Sequence, residues 1–312
     1  MLRYVALRLL DAVPTVLLVL TLIFFALRIL PGDPAQVALG EFATPEQIAA
    51  LHARMGLDAP LPLQYLSFLG QVATFRFGTS FVSSEPVAGT LADNLPYTVE
   101  LAVLATVFGL LMGLPLGVAS ARRRGRGVDF GARVFALLGY AVPDFYLGAL
   151  LLIWFALDAG LFPINGGGDG FVDRMYHLVL PALALGVIKA AFMSRLTRGA
   201  LLETLGRDYV RTARAKGARE GRVVYRHALR NALLPVANGL ALSLLSTLSG
   251  AVAIELVFNR PGLGTMLLEA VDTRDYPVVQ AGLVVFALFV VGVNLLADLL
   301  NIVIDPRIRA RA

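Results

Sequence analysis

Three histidines, two lysines and no cysteine are the side chains here from which a catalytic or metal site is most readily built. Neither lysine serves a phosphate-binding loop of the form GxxxxGK[ST], because Ala190 follows Lys189 and Gly217 follows Lys216. His52, His177 and His227 are far apart and belong to no HExxH, which leaves a zinc hydrolase without ligands. No GxSxG elbow is present. The lack of cysteine removes disulfides, thiolate chemistry and Cys-ligated zinc together. Gly166-Gly167-Gly168 reads as a turn, not as a phosphate nest. The expectation is a non-catalytic chain with no cofactor or metal of its own.

What remains is charge in unusual places. The stretch from Glu203 to Pro235 is strongly basic, and Ala213 and Ala215 stand beside Gly217. A short helix with small residues on one face can enter a partner's groove closely, and Gly217 lets the chain turn away from its end. The surrounding basic groups could pair with acidic side chains of that partner or with lipid phosphates. A solvated loop of no specific order is the alternative. Lys189 and Asp144 fall inside apolar runs, where a charge costs at least ~2.5–3.5 kcal/mol and should face protein or water. They pair with each other, line a pathway, or snorkel to the lipid surface from a differently placed span. Glu255 lies near the outer end of its run, Asp298 near the inner end of another, and Glu100 begins a third; each of these could reach an interface.

These charges are embedded in lipid-soluble chain. Of 312 residues 57% are hydrophobic, above the usual soluble range. A hydrocarbon core of ~30 Å takes about 20 residues of apolar helix to cross. Runs of that length lie at about 10–30, 99–120, 130–157, 178–196, 232–256 and 278–304. Only helices satisfy their own backbone groups in lipid, and these runs are too long for barrel strands, so six transmembrane helices are expected. The first run is too long for a signal peptide and lacks a cleavage site, so it reads as a retained span. With the N-terminus inside, 20 of the Lys and Arg residues face the cytoplasm and 6 face out. That bias puts both termini in the cytoplasm, and it explains the net charge of +5 without nucleic acid.

The organisation expected is residues 1–30 as N-terminus and first span, 31–96 as an extracytoplasmic insert, 97–304 as the five-span core containing the cytoplasmic loop 201–231, and 305–312 as a cytoplasmic tail. Within the insert, Thr44-Pro45-Glu46-Gln47 is a helix start whose apolar pattern runs to Met55, and Gly56 ends it. A second apolar stretch follows Pro60 and Pro62. Pro143, Pro181 and Pro235 break helical hydrogen bonding, as flexible hinges or as fixed kinks.

The segment Tyr209-Val210-Arg211-Thr212-Ala213-Arg214-Ala215-Lys216-Gly217, followed by His227-Ala228-Leu229-Arg230-Asn231-Ala232-Leu233-Leu234-Pro235, resembles the cytoplasmic loop of binding-protein-dependent ABC importer permeases. The likeness is to the first permease subunit of the peptide/nickel branch. It extends to Pro31-Gly32-Asp33-Pro34, Phe77-Gly78-Thr79-Ser80, Pro143-Asp144-Phe145-Tyr146, Pro261-Gly262-Leu263-Gly264, Asp275-Tyr276-Pro277 and Asp305-Pro306-Arg307. Arg211-Thr212-Ala213 stands where many importers have Glu-Ala-Ala, a departure usual in this branch, and Asp144 replaces a small polar residue. The resemblance implies a type I importer fold in a bacterial or archaeal cytoplasmic membrane. It implies a second, usually non-identical permease subunit, two partner ATPases that hold ATP and magnesium, and an external substrate-binding protein. It makes Tyr209, Arg211, Ala213, Arg214, Lys216 and Gly217 the residues that meet the ATPase. Peptides are the implied cargo, with nickel chelates or glutathione as alternatives. A secondary transporter, the reading from a different class, would need more spans or an internal repeat, and no convincing repeat is seen.

Overall fold

The computed structural model describes residues 2–29, 34–39 and 43–304. Pro31-Gly32-Asp33 and the tail motif Asp305-Pro306-Arg307 lie outside the described residues, as does the side chain of Asp298. The helices in chain order are α1 (Leu2–Ile29), α2 (Pro34–Leu39), α3 (Pro45–Met55), α4 (Leu61–Thr74), α5 (Val87–Arg122), α6 (Gly127–Ala141), α7 (Asp144–Leu151), α8 (Gly170–Leu205), α9 (Asp208–Ala215), α10 (Glu220–Arg222), α11 (Leu229–Val257), α12 (Leu263–Asp272) and α13 (Tyr276–Ile304). Seven π-helical residues, Leu152–Asp158, extend α7, and six more, Val223–Ala228, join α10 to α11. Among the described residues no β-strand forms beyond an isolated Thr79–Pro86 bridge.

Among the described residues, four helices are long and apolar enough to cross a membrane: Leu10–Ile29 within α1, all of α5, all of α8, and Tyr276–Leu296 within α13. Counting each of two bent pairs as one span brings the number to six. Gly127–Ala141 and Asp144–Asp158 meet at 104°, and Glu220–Leu244 and Ser249–Val257 at 56°. The third expected span, 130–157, is therefore not one continuous helix. Pro143 has no N–H to donate and disfavours helical backbone in the residue before it. Val142 is accordingly extended, with ψ 123°. The second helix restarts at Asp144, whose Oδ1 accepts from the Phe145 N–H at 2.9 Å. The spans expected at 99–120 and 178–196 lie within helices of 36 residues each, about 54 Å long at 1.5 Å per residue, well beyond the hydrocarbon thickness.

The contacts divide the chain into two compact units: Thr98–Arg260 with the chain from Val293, and Leu2–Tyr97 with Pro261–Gly292. In the first unit α8 is central, and α5 packs against it along a seam of glycines at four-residue intervals. A Cβ on Gly109 would stand 2.6 Å from Lys189 Cβ, one on Gly113 2.7 Å from the Ala190 carbonyl oxygen, and one on Gly117 2.6 Å from the Ser194 carbonyl oxygen. Small residues at such a spacing let two backbones approach where lipid offers no hydrophobic drive. In the second unit Leu20, Phe24, Phe68, Phe77, Leu91, Leu263, Met266 and Val284 form one apolar core. Its short helix α3 starts with a capping box, in which Thr44 accepts from the Gln47 N–H and Gln47 accepts from the Thr44 N–H, and stops at Gly56 in the left-handed region. Asp275, buried in this unit, accepts from the Ser80 hydroxyl and from the Phe81 N–H.

Candidate functional site

The basic loop folds as helix, turn and helix. α8 ends at Leu205, and after Gly206 and Arg207 the eight-residue α9 begins. Its sequence, DYVRTARA, alternates one apolar residue with charged and small ones, so it can bury only a narrow stripe. That stripe is Val210, fully buried among Val118, Ala121, Met193, Leu201, Val223, Val224, Ala228 and Val236. Tyr209, Arg211, Arg214 and Lys216 are exposed, and Ala213 is half-buried. The Tyr209 hydroxyl accepts from Asn231 Nδ2 at 2.8 Å, which ties the start of α9 to α11.

The far end of α9 is closed by its backbone. Gly217 sits at φ +78°, where a residue with a Cβ is disfavoured. Its N–H donates to the Arg214 carbonyl at 2.9 Å, and the Ala218 N–H donates to the Ala213 carbonyl at 3.2 Å. This pair of bonds is the Schellman closure, which satisfies carbonyls that the helix end would otherwise leave open. Across the turn Arg214 grips Glu220 with two hydrogen bonds, Nε to Oε2 at 3.2 Å and Nη2 to Oε1 at 2.8 Å. The carboxylate raises the guanidinium pKa above its ordinary value. Among the described residues, Arg211 has the looser Asp208 carboxylate, 3.6 Å away and on the same exposed helix. A cavity of about 1270 Å³ opens beside α9, lined by Arg207, Tyr209, Arg226, His227 and Arg230 with Glu203. The whole arrangement is a short helix, anchored by buried Val210 and by the Tyr209–Asn231 hydrogen bond, that presents cations to solution.

Residues 113–310 match the family described as the binding-protein-dependent transport system inner membrane component. The chain belongs to that family. Residues 1–102 match its companion, the N-terminal membrane component of the same systems. The glutathione transport system permease protein GsiC of Salmonella typhimurium is 40% identical over 309 residues, covering 99% of each chain. The di/tripeptide transport system permease protein DppB of Pseudomonas aeruginosa is 40% identical over 334 residues, and the dipeptide transport system permease protein DppB of Escherichia coli is 39% identical over 336, each covering 99% of both chains. Among solved structures, a chain of the inward-facing MetNI methionine ABC transporter superposes with a TM-score of 0.56 at 20% identity, over 69% of this chain and 96% of that one. That likeness fixes the fold alone, which is that of a type I ABC importer permease. The protein is thus a multi-pass permease subunit of an ABC importer, built from transmembrane helices.

Among the described residues, Lys189, Asp144, Glu255 and Glu100 each contact other parts of the protein. Among the described residues no ion pair joins Lys189 to Asp144. Lys189 is buried, and its Nζ donates to the Ser243 carbonyl on α11 at 3.1 Å. Asp144 lies against Gly250, where an added Cβ would come within 2.3 Å of Oδ2. Glu255 is fully buried and accepts from the Thr98 hydroxyl at 2.5 Å. Nearby on α5, Glu100 accepts from Arg174 at 2.7 Å and from the buried Arg260 at 3.4 Å.

Sequence reasoning missed one group in the same unit. Asp129, in the first turn of α6, is buried and takes four hydrogen bonds: from Arg198 Nε at 2.6 Å and Nη2 at 3.1 Å, from Ser120 Oγ at 2.7 Å, and from the Gly125 N–H at 2.9 Å. It clamps the end of α5 and the start of α6 to the stretch of α8 that leads into α9. The signal was a lone acid amid the arginines at 122–133, where orientation in the membrane already explained the charge.

Proposed function

We propose that this permease carries di- or oligopeptides handed to it by an external substrate-binding protein, and that α9 is the surface through which two partner ATPases drive it. ATP and magnesium belong to those partners. A second, non-identical permease subunit completes the pore. The basic residues put α9 and both termini on the cytoplasmic face of a bacterial or archaeal inner membrane. The observation that carries the docking reading is α9 itself: one buried anchor, a glycine closure, and Tyr209, Arg211, Arg214 and Lys216 left facing outward. Two residues separate it from α8, so a displacement of α9 reaches the transmembrane bundle without slack.

In this reading ATP closes the ATPase pair and moves the two docked α9 helices together. The permease exchanges an inward opening for an outward one because ATP binds the two states with different affinity. Peptide cargo is supported by the relatives named for dipeptides and di/tripeptides, and glutathione is a second reading supported by relatives of equal identity named for it.

Arg211→Glu is the sharper probe of docking, because Arg211 is highly exposed and outside the Arg214–Glu220 pair. Transport and substrate-stimulated ATP hydrolysis by the assembled importer should fall by about five- to a hundredfold, the range of an ordinary coupling free energy, at normal membrane levels. Unchanged transport sinks the docking assignment. Uptake of a labelled dipeptide, competed by glutathione or by unlabelled peptide, decides between the two cargoes.

A further inference from the structure

In the unit formed by residues 2–97 and 261–292, an open cavity of about 570 Å³ is lined by the last turn of α1, Leu39 of α2, Leu51 of α3 and the turn after it, α4, the loop at 76–84 and the first turns of α13. We propose that this cavity binds the phosphate headgroup of an anionic phospholipid. Its position gives the first reason. The apolar part of α1 ends at Ile29 and that of α13 begins at Tyr276, so the cavity lies where two spans leave the hydrocarbon. Tyrosine and arginine are the side chains that settle at that boundary.

Charge gives the second reason. Arg28 and Arg76 line the cavity, and no Asp or Glu is among the described lining residues. Arg28 is held in place before any ligand arrives. Its Nε donates to Gln64 Oε1 at 3.0 Å and its Nη1 to the Phe24 carbonyl at 3.3 Å, while its guanidinium carbon stands 3.5 Å from the centre of the Phe24 ring. Gln64 is itself fixed, donating to the Leu57 and Ala59 carbonyls at 2.9 and 2.8 Å. A guanidinium so oriented suits phosphate, which it can meet with paired hydrogen bonds. Tyr276, Gln280 and Ser84 add hydroxyl and amide donors on the other walls.

The test uses the purified full-length permease in nanodiscs of mixed phosphatidylglycerol and phosphatidylcholine, with the lipid retained after mild extraction counted by native mass spectrometry. Wild type should keep phosphatidylglycerol in preference to phosphatidylcholine. Arg28→Gln and Arg76→Gln should each lower that preference about fivefold, the effect of one basic side chain at an anionic surface. Arg28→Lys should keep most of it. Arg76 is exposed, so its variant still decides the matter if Arg28→Gln proves poorly folded. An unchanged preference in Arg76→Gln and Arg28→Gln overturns the site, and displacement of phosphatidylglycerol by inorganic phosphate overturns the lipid as its occupant.

Discussion

Two arginine–carboxylate pairs, each joined by two hydrogen bonds, lie within one unit of this permease and do different work. Arg198–Asp129 is closed off from water on the acid side, with the Asp129 side chain 2% exposed, and Ser120 and Gly125 donate to the same carboxylate. Arg214–Glu220 lies in the open, its side chains 41% and 60% exposed. The ion-pair chemistry is the same, and burial together with the two extra donors separates them. A buried pair whose remaining lone pairs are satisfied holds three helices in register, and removing one member leaves a charge stranded. An exposed pair contributes little to stability and can be broken and remade, as the docking role proposed for α9 would require.

The largest effect should follow from Asp129→Ala. It strands Arg198 and leaves Ser120 and Gly125 without their acceptor, at a cost of about 3 kcal/mol or more. Thermal unfolding of the purified protein should show a clear fall in midpoint. Exchanging the residues, Asp129→Arg with Arg198→Asp, should not restore it, because the Ser120 and Gly125 donors stay aimed at the place where a carboxylate was. Recovery by the exchange would mean that the pair alone matters and that the clamp is not a four-bond site.

The seam beneath the clamp should come next. At Gly113 a single added methyl meets the Ala190 carbonyl oxygen at 2.7 Å, a backbone atom that cannot turn aside. Gly113→Ala should therefore cost about 1–3 kcal/mol by overpacking, measured in the same unfolding assay. A neutral result would show that α5 can shift on α8 far enough to admit a methyl.

Much of the fold was legible because its signals are local. Apolar length found the helices that cross the membrane, Thr44 and Gln47 marked the start of α3, and Gly217 marked the end of α9. The break at Pro143 was legible as a break, but not as a turn of 104°, since an apolar run has the same composition whether straight or folded back. Asp129 was hidden for another reason. Its partner Arg198 is 69 residues away, and no spacing rule reaches across two helices. Lys189 and Asp144 were visible as costly charges, yet sequence offered each the other as partner. The structure gives Lys189 a backbone carbonyl instead, and a carbonyl acceptor has no sequence signature.

Gly217→Ala should cost about 1 kcal/mol, since the left-handed backbone is disfavoured for any residue with a Cβ. Space is no obstacle there, with nothing within 4 Å of the added atom, so the loss is conformational alone. If α9 is the docking helix, transport should fall by more than stability does, because the closure sets the direction in which α9 is presented.

The smallest effect on stability should come from the exposed pair, and it tests the opening contrast most directly. Arg214→Glu places two carboxylates across the turn, and the exchange Arg214→Glu with Glu220→Arg restores opposite charges in reversed order. Both should change the unfolding free energy by no more than ~1 kcal/mol, given the exposure of both side chains. Transport by the assembled importer should separate the two possible roles. If the pair only steadies the turn, the exchange recovers the activity lost by Arg214→Glu. If Arg214 itself meets an acidic groove on the partner, the exchange stays inactive although the turn is repaired, because the cation now stands six residues further along the chain, beyond the end of α9.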